Sequence, residues 1–296
     1  MTTLLTLHIP PVDSQAFDDV VNDYFAQAQA LIDSLPSWRK KSTHHGHTVQ
    51  SYVLPKGSAE SSEARIRSSM KLDPNEYWVG RTSTHQLDNA KDATVYERFR
   101  AGLLVDHSEQ ERQYIESCIE SERLQVFREQ EAEVWRMTYK TPPPTSPRTF
   151  VFLLLCRELQ VTPGTRSFMN ISIPFDHPSV QVNQGTEQSR VRGRYVSVEY
   201  VKEVEGGSKV EWLMATSSCA AGSIPQFLTN WSLPGKVTED VPSFVQYVND
   251  KIKDDAPAST ASLGRVTTLT LEGRGRYADI QDGFQDAPQG TERQRI

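Results

Sequence analysis

The sequence predicts an α+β domain, and an antiparallel sheet curled around a long closing helix is one solution for its order of elements. Three observations carry this. Apolar residues recur at helical spacing near the start of the chain and again near residue 250. Between them lies a run of strand-like segments joined by short turns. The segments flanking Glu205-Gly-Gly-Ser208 form the clearest hairpin. Sequential strands with short turns imply antiparallel pairing.

The elements follow in order. Asp13 or Ser14 caps a helix running to about Ser34, with Phe17, Val20, Val21, Tyr24, Ala28, Leu31 and Ile32 on one face. The polar stretch 38–47 reads as a loop, 49–54 as a strand and 58–71 as a polar loop. Residues 77–85 read as a strand and 96–122 as one helix, weakened by Gly102 near its start. Strands are expected at 134–141, 149–156 and 166–173, then at 192–204 and 209–216. Pro225 opens the closing helical region. Pro234-Gly235 interrupts that region, giving segments at 226–233 and 239–253.

From residue 255 the composition turns to Ala, Ser, Thr, Gly, Gln and Pro, which bury too little apolar surface to offset chain entropy. The expected organisation is a folded domain over 1–254 and a disordered tail over 255–296. Within the tail, residues 266–271 have the composition of a short strand or docking motif.

Composition narrows the function. The chain of 296 residues has a net charge of −6 and no basic stripe, which argues against nucleic-acid binding. No apolar run reaches the length of a membrane span; the longest, Phe150 to Cys156, is strand-sized. Met1 is not followed by a signal-type segment. Cys118, Cys156 and Cys219 are sparse, odd in number and without metal spacing, which suits a reducing compartment such as the cytoplasm. Nothing in the sequence sets an oligomeric state.

No catalytic signature emerges. The cluster His44-His-Gly-His47 lacks a carboxylate or cysteine at ligand spacing, so a solvated loop explains it and no metal is expected. His107 and Glu111 share a helix face, and a salt link or hydrogen bond explains that pair. Asp176-His177 reads as a turn, and Ser217-Ser-Cys219 has no base beside it. No dinucleotide or P-loop fingerprint occurs, and no cofactor is expected.

Several stretches together resemble the START family, the steroidogenic acute regulatory protein-related lipid transfer domains. The closing part carries Lys209-Val-Glu-Trp-Leu-Met-Ala-Thr216, then Ala221-Gly-Ser-Ile-Pro-Gln-Phe-Leu-Thr-Asn230, then Val241-Pro-Ser-Phe244. This is similar to the family's tryptophan-containing strand, Gly-x-x-Pro helix opening and lid helix. Arg166-Ser-Phe-Met-Asn-Ile-Ser172 resembles its Arg-x-Phe strand. Tyr77-Trp-Val-Gly-Arg-Thr-Ser-Thr-His85 and the stretch from Phe99 through His107-Ser-Glu-Gln-Glu-Arg-Gln-Tyr114 resemble a fungal START-like branch of unknown function. The resemblance covers roughly residues 10–254. It implies a helix-grip fold, with a curved antiparallel sheet around a C-terminal helix over an apolar cavity. It also implies binding of a lipid or another hydrophobic small molecule. Some sterol-binding members carry a buried Arg on the Arg-x-Phe strand, paired with an acid. Ser172 stands there in this chain.

Strand alternation then nominates a lining. Trp212, Met214 and Thr216 share a face with Val210, and Val196, Val198 and Tyr200 are taken as their partners. Phe168, Asn170 and Ser172 have the matching parity on the preceding strand, and Leu228, Leu233, Phe244 and Val248 would cover the opening. Taken alone, such alternation is ordinary core; the resemblance is what turns it into a lining. Arg81, Ser83 and His85 share a strand face that is either the polar end of the cavity or an outward, solvated face. Three functions follow. The first is a non-catalytic carrier or sensor of a hydrophobic ligand, with transient membrane contact. The second is a polyketide cyclase or dehydratase-like enzyme with Arg81, His85 and Tyr200 as acid/base candidates. The third is an interaction module working through the tail.

Overall fold

A computed structural model describes residues 11–45, 48–54, 76–87, 93–162, 165–180, 190–221, 226–250 and 267–268. The expected loop at 58–71 lies outside the described residues. So does the expected tail, except that Thr267–Thr268 pair in parallel with Leu159 and Gln160.

Helix α1 (Gln15–Ser34) begins where Ser14 Oγ accepts the Phe17 amide at 3.3 Å. The exposed strand β1 (Arg39–His44) follows, then β2 (Val49–Leu54) and β3 (Trp78–His85). The loop expected at 38–47 is thus largely strand. Its side chains carry no strand signal because they point to solvent, and pairing with β2 supplies the order.

The single helix expected over 96–122 is two short helices and a strand. Helix α2 (Val95–Leu103) opens with a reciprocal capping box between Thr94 and Glu97. Asp106 then turns the chain with φ 47°, before α3 (His107–Tyr114). Residues from Cys118 onward pair instead with the next strand. The strands are β4 (Cys118–Arg128), β5 (Ala132–Tyr139), β6 (Arg148–Thr162) and β7 (Thr165–Pro174). Next come the short β8 (Val191–Arg192), β9 (Arg194–Val204) and β10 (Lys209–Cys219), with the pair Thr267–Thr268 as β11.

Helix α4 (Gln226–Asp250) closes the fold and contains both Pro234 and Pro242. The expected break at Pro234 is absent. Partly buried Leu233 and then buried Val237, Val241, Phe244 and Val248 carry one packed stripe past both prolines, and that packing outweighs the hydrogen bonds the prolines forgo.

The main sheet runs β1-β2-β3-β10-β9-β7-β6-β5-β4, with antiparallel pairing along this path. It is covered on both faces. The outer face packs Val196, Val198, Tyr200, Met169 and Ile171 against Phe17, Val21 and Phe25 of α1. The inner face packs Trp212, Phe168, Phe152 and Trp135 against Phe99 of α2 and Phe244 and Val248 of α4.

Candidate ligand-binding site

Antiparallel register fixes which residues share the inner face. One row crosses the middle strands as Ser51, Arg81, Met214, Glu199, Asn170 and Cys156. The neighbouring row contains Ser83, Trp212, Val201 and Phe168. The row on the other side contains Val79, Thr216, Ser197 and Ser172. Phe168, Asn170, Ser172, Trp212, Met214 and Thr216 therefore share the inner face with Arg81, Ser83 and His85.

Val196, Val198 and Tyr200 do not. Trp212 pairs with Val201 and Met214 with Glu199, so the three residues named from sequence alternate outward and pack in the α1 cluster. The outward face of β9 is apolar because α1 covers it, and apolarity alone could not tell the two faces apart. From α4, Phe244 and Val248 reach the inner cluster. Leu233 joins a smaller one with Val53, Val79 and Met214, while Leu228 is 44% exposed.

The polar residues on this face form a buried network. Arg81 is 1% exposed and donates through Nη2 to Glu199 Oε1 at 3.3 Å. Its guanidinium also sits 3.9 Å from the centre of the Trp212 ring. Burial pulls its pKa down, while Glu199 and Asp240 oppose that shift. Helix α3 brings His107 Nε2 to 3.8 Å from Glu111 and 4.0 Å from Glu199. Tyr139 donates to Glu111 at 2.5 Å. Burial raises the Glu111 pKa, with His107 and Tyr139 acting the other way. Asp240 on α4 is raised to about 7, first by burial and then by Glu111 and Glu199, against the lowering effect of Arg81. Burial, with Arg81 nearby, holds the His85 imidazole near 4, so it is neutral at physiological pH; its Nε2 lies 2.8 Å from Ser83 Oγ.

Not every polar atom here is satisfied. The Leu103 carbonyl accepts from Asn170 Nδ2 at 2.7 Å and from His107 Nδ1 at 2.6 Å. Asn170 Oδ1 has no partner, nor do Arg81 Nε and Nη1 or Trp212 Nε1. Each such buried atom costs about 1–3 kcal/mol unless something meets it. The donors of Arg81 and Trp212 and the acceptor of Asn170 come from two adjacent rows of the inner face.

Glu199, His107, Glu111 and Asp240 had not been read from the sequence as site residues. The i, i+4 pair His107–Glu111 was visible as a salt link, and the structure keeps it. Glu199 could have been found only by setting the hairpin register from the turn, since its strand parity is the more polar one.

A curved antiparallel sheet closed by a C-terminal helix over its inner face defines a helix-grip, START-like domain. Human StAR-related lipid transfer protein 5 shares this fold with a TM-score of 0.56 at 15% identity, over 78% of this chain and 98% of that one. Human STARD10 does so with a TM-score of 0.54 at 15% identity, over 86% and 91%. The chain belongs to the family described as protein of unknown function DUF3074, which matches residues 78–248. It is also similar to the uncharacterised protein C577.11 of Schizosaccharomyces pombe (strain 972 / ATCC 24843). The two are 22% identical over 226 residues, 75% of this chain and 82% of the relative.

Proposed function

We propose that the chain binds a lipid or another hydrophobic small molecule between the inner face of the sheet and α4, without catalysing a reaction on it. The observation that carries this reading is the set of unpartnered buried atoms on Arg81, Trp212 and Asn170. Around them pack Phe168 and Phe152 of the sheet, Phe99 of α2 and Phe244 of α4. A ligand with an apolar body and a hydrogen-bonding end satisfies both demands, and each Å2 of apolar surface it buries contributes about 25 cal/mol. The fold supports the reading, since a protein sharing it is described as a lipid transfer protein. Asn170, Ser172 and Thr216 orient the ligand in this reading, and Phe244 and Val248 cover it. Exchange takes place at a membrane, and the reduced cysteines fit work in the cytoplasm.

Native mass spectrometry of freshly purified chain, followed by solvent extraction, tests this. The expected result is a stoichiometric apolar species that Arg81→Gln and Asn170→Leu displace. A chain that arrives empty and takes up nothing from a panel of lipids and sterols removes the reading. The enzyme alternative is weakened because Tyr200 faces α1 rather than the inner face.

A further inference from the structure

The first turns of α4 and the edge strand β1 form a surface that nothing above uses. Trp231 is 83% exposed, and Leu228, one turn earlier on the same side of the helix, is 44% exposed. The other four tryptophans, Trp38, Trp78, Trp135 and Trp212, are all buried. Trp231 and Leu228 together, and not a lone indole, make the apolar part of this surface.

Helix geometry shows which way this indole faces. Trp231 and Thr238 are seven residues apart, so they lie on nearly the same side of α4, about 10 Å apart along its axis. The Thr238 carbonyl accepts from His45 Nε2 at 2.8 Å, and His45 immediately follows β1. Trp231 is therefore on the flank of α4 that faces the β1 edge. Leu233 and Val237 pack near Val53, and Val53 pairs with Arg39. The start of α4 therefore lies toward the Arg39 end of β1.

That end is basic. Arg39, Lys40 and Lys41 are consecutive, exposed and on the outermost strand. Among the described residues none of the three makes an ion pair. Among the described residues an otherwise acidic chain thus leaves these three cations without an ion pair on its edge strand, Arg39 on the α4 side of the sheet opposite Val53 and Lys40 on the other side opposite Tyr52.

We propose that this corner is a membrane-docking surface: Trp231 and Leu228 enter the interface of an anionic bilayer while Arg39, Lys40 and Lys41 meet its phosphate layer. Indoles favour the headgroup level, and each basic side chain near an anionic surface strengthens binding severalfold. The surface is external, so docking does not depend on what the inner face binds.

Flotation of the full chain with vesicles of known composition tests the proposal. The probes are phosphatidylcholine vesicles with and without roughly 30% phosphatidylserine. Binding is expected only with the anionic lipid, and it should weaken as salt rises. Lys40→Gln with Lys41→Gln should weaken it about tenfold or more. Trp231→Ser should weaken it by a similar factor, with an unchanged thermal midpoint. Bromine-labelled lipid should quench the tryptophan emission of the parent chain, and Trp231→Phe should abolish that quenching. No flotation with the anionic vesicles overturns the proposal, as does binding unaffected by Trp231→Ser. Quenching that persists in Trp231→Phe overturns it too, as does capture of an acidic protein by this corner in place of vesicles.

Discussion

Arg81 and Glu199 meet at 3.3 Å although 118 positions separate them in sequence and a whole strand, β10, lies between theirs. Both pair with Met214, one from each side, so their side chains close over that methionine on the inner face. The pair is a buried electrostatic link between the N-terminal strands and β9.

Glu199→Gln should therefore be strongly destabilising. It leaves the Arg81 cation buried without its counter-charge, a loss of about 3–5 kcal/mol. For a domain of this size the thermal midpoint should fall on the order of 10 °C. Adding Arg81→Gln should recover part of that loss, because the two changes act on one interaction. A fall in the midpoint of only a degree or two would show that the pair carries little.

Asp240 makes stability pH-dependent. Its folded-state pKa is raised from 3.8 to about 7, so folding favours its protonated form. The stabilisation is complete below the unfolded value near 3.8 and is lost as pH rises through about 7. Arg81, Glu111, Glu199 and Glu239 are the charges acting on it. Asp240→Asn should raise the thermal midpoint by several degrees at pH 8 and by almost nothing below pH 4. Equal effects at both pH values would contradict this assignment.

Phe244 locks α4 to the sheet. Its ring packs 5.1 Å from each of Phe99, Tyr114 and Trp212. Phe244→Ala should cost about 3–5 kcal/mol, measured by denaturant unfolding. A hydrophobic ligand that fills the vacated space should restore part of that stability, whereas a polar solute of similar size should not.

Gly80 tests the outer face. A Cβ there would run into Leu35 Cδ2 and come within 3.2 Å of the Met214 carbonyl. Leu35 is fully buried where α1 hands over to β1, so it has little room to move. Gly80→Ala should destabilise by about 1–3 kcal/mol. An unchanged unfolding midpoint would mean that Leu35 repacks freely.

The legible parts of the sequence were those with an apolar period or a specific turn. Ser14, the 205–208 hairpin and the α4 stripe each left a signal that local chemistry produces. Strand β1 was not legible because five of its six residues are exposed and its order comes from β2. The break at Asp106 was hidden because a residue of ordinary appearance takes a left-handed conformation there. The site was half legible. Parity placed Phe168, Asn170 and Trp212 together, but on β9 it selected the face that α1 covers. A sheet buried on both sides has two apolar parities, and only register separates them. Glu199 needed the same register, set from the 205–208 turn, to be found.

The placement of β3 beside β10 also governs how the chain is made. β1, β2 and β3 are made before β10, the strand that joins them to the rest of the sheet. At ordinary translation rates this leaves roughly ten seconds in which the hairpins of β1–β3 present an unpaired edge. Long-range pairing of this kind slows folding and invites association with other nascent chains. The exposed cationic strand β1 protects one side of that unit by charge repulsion, whereas the β3 side stays an open edge until β10 arrives.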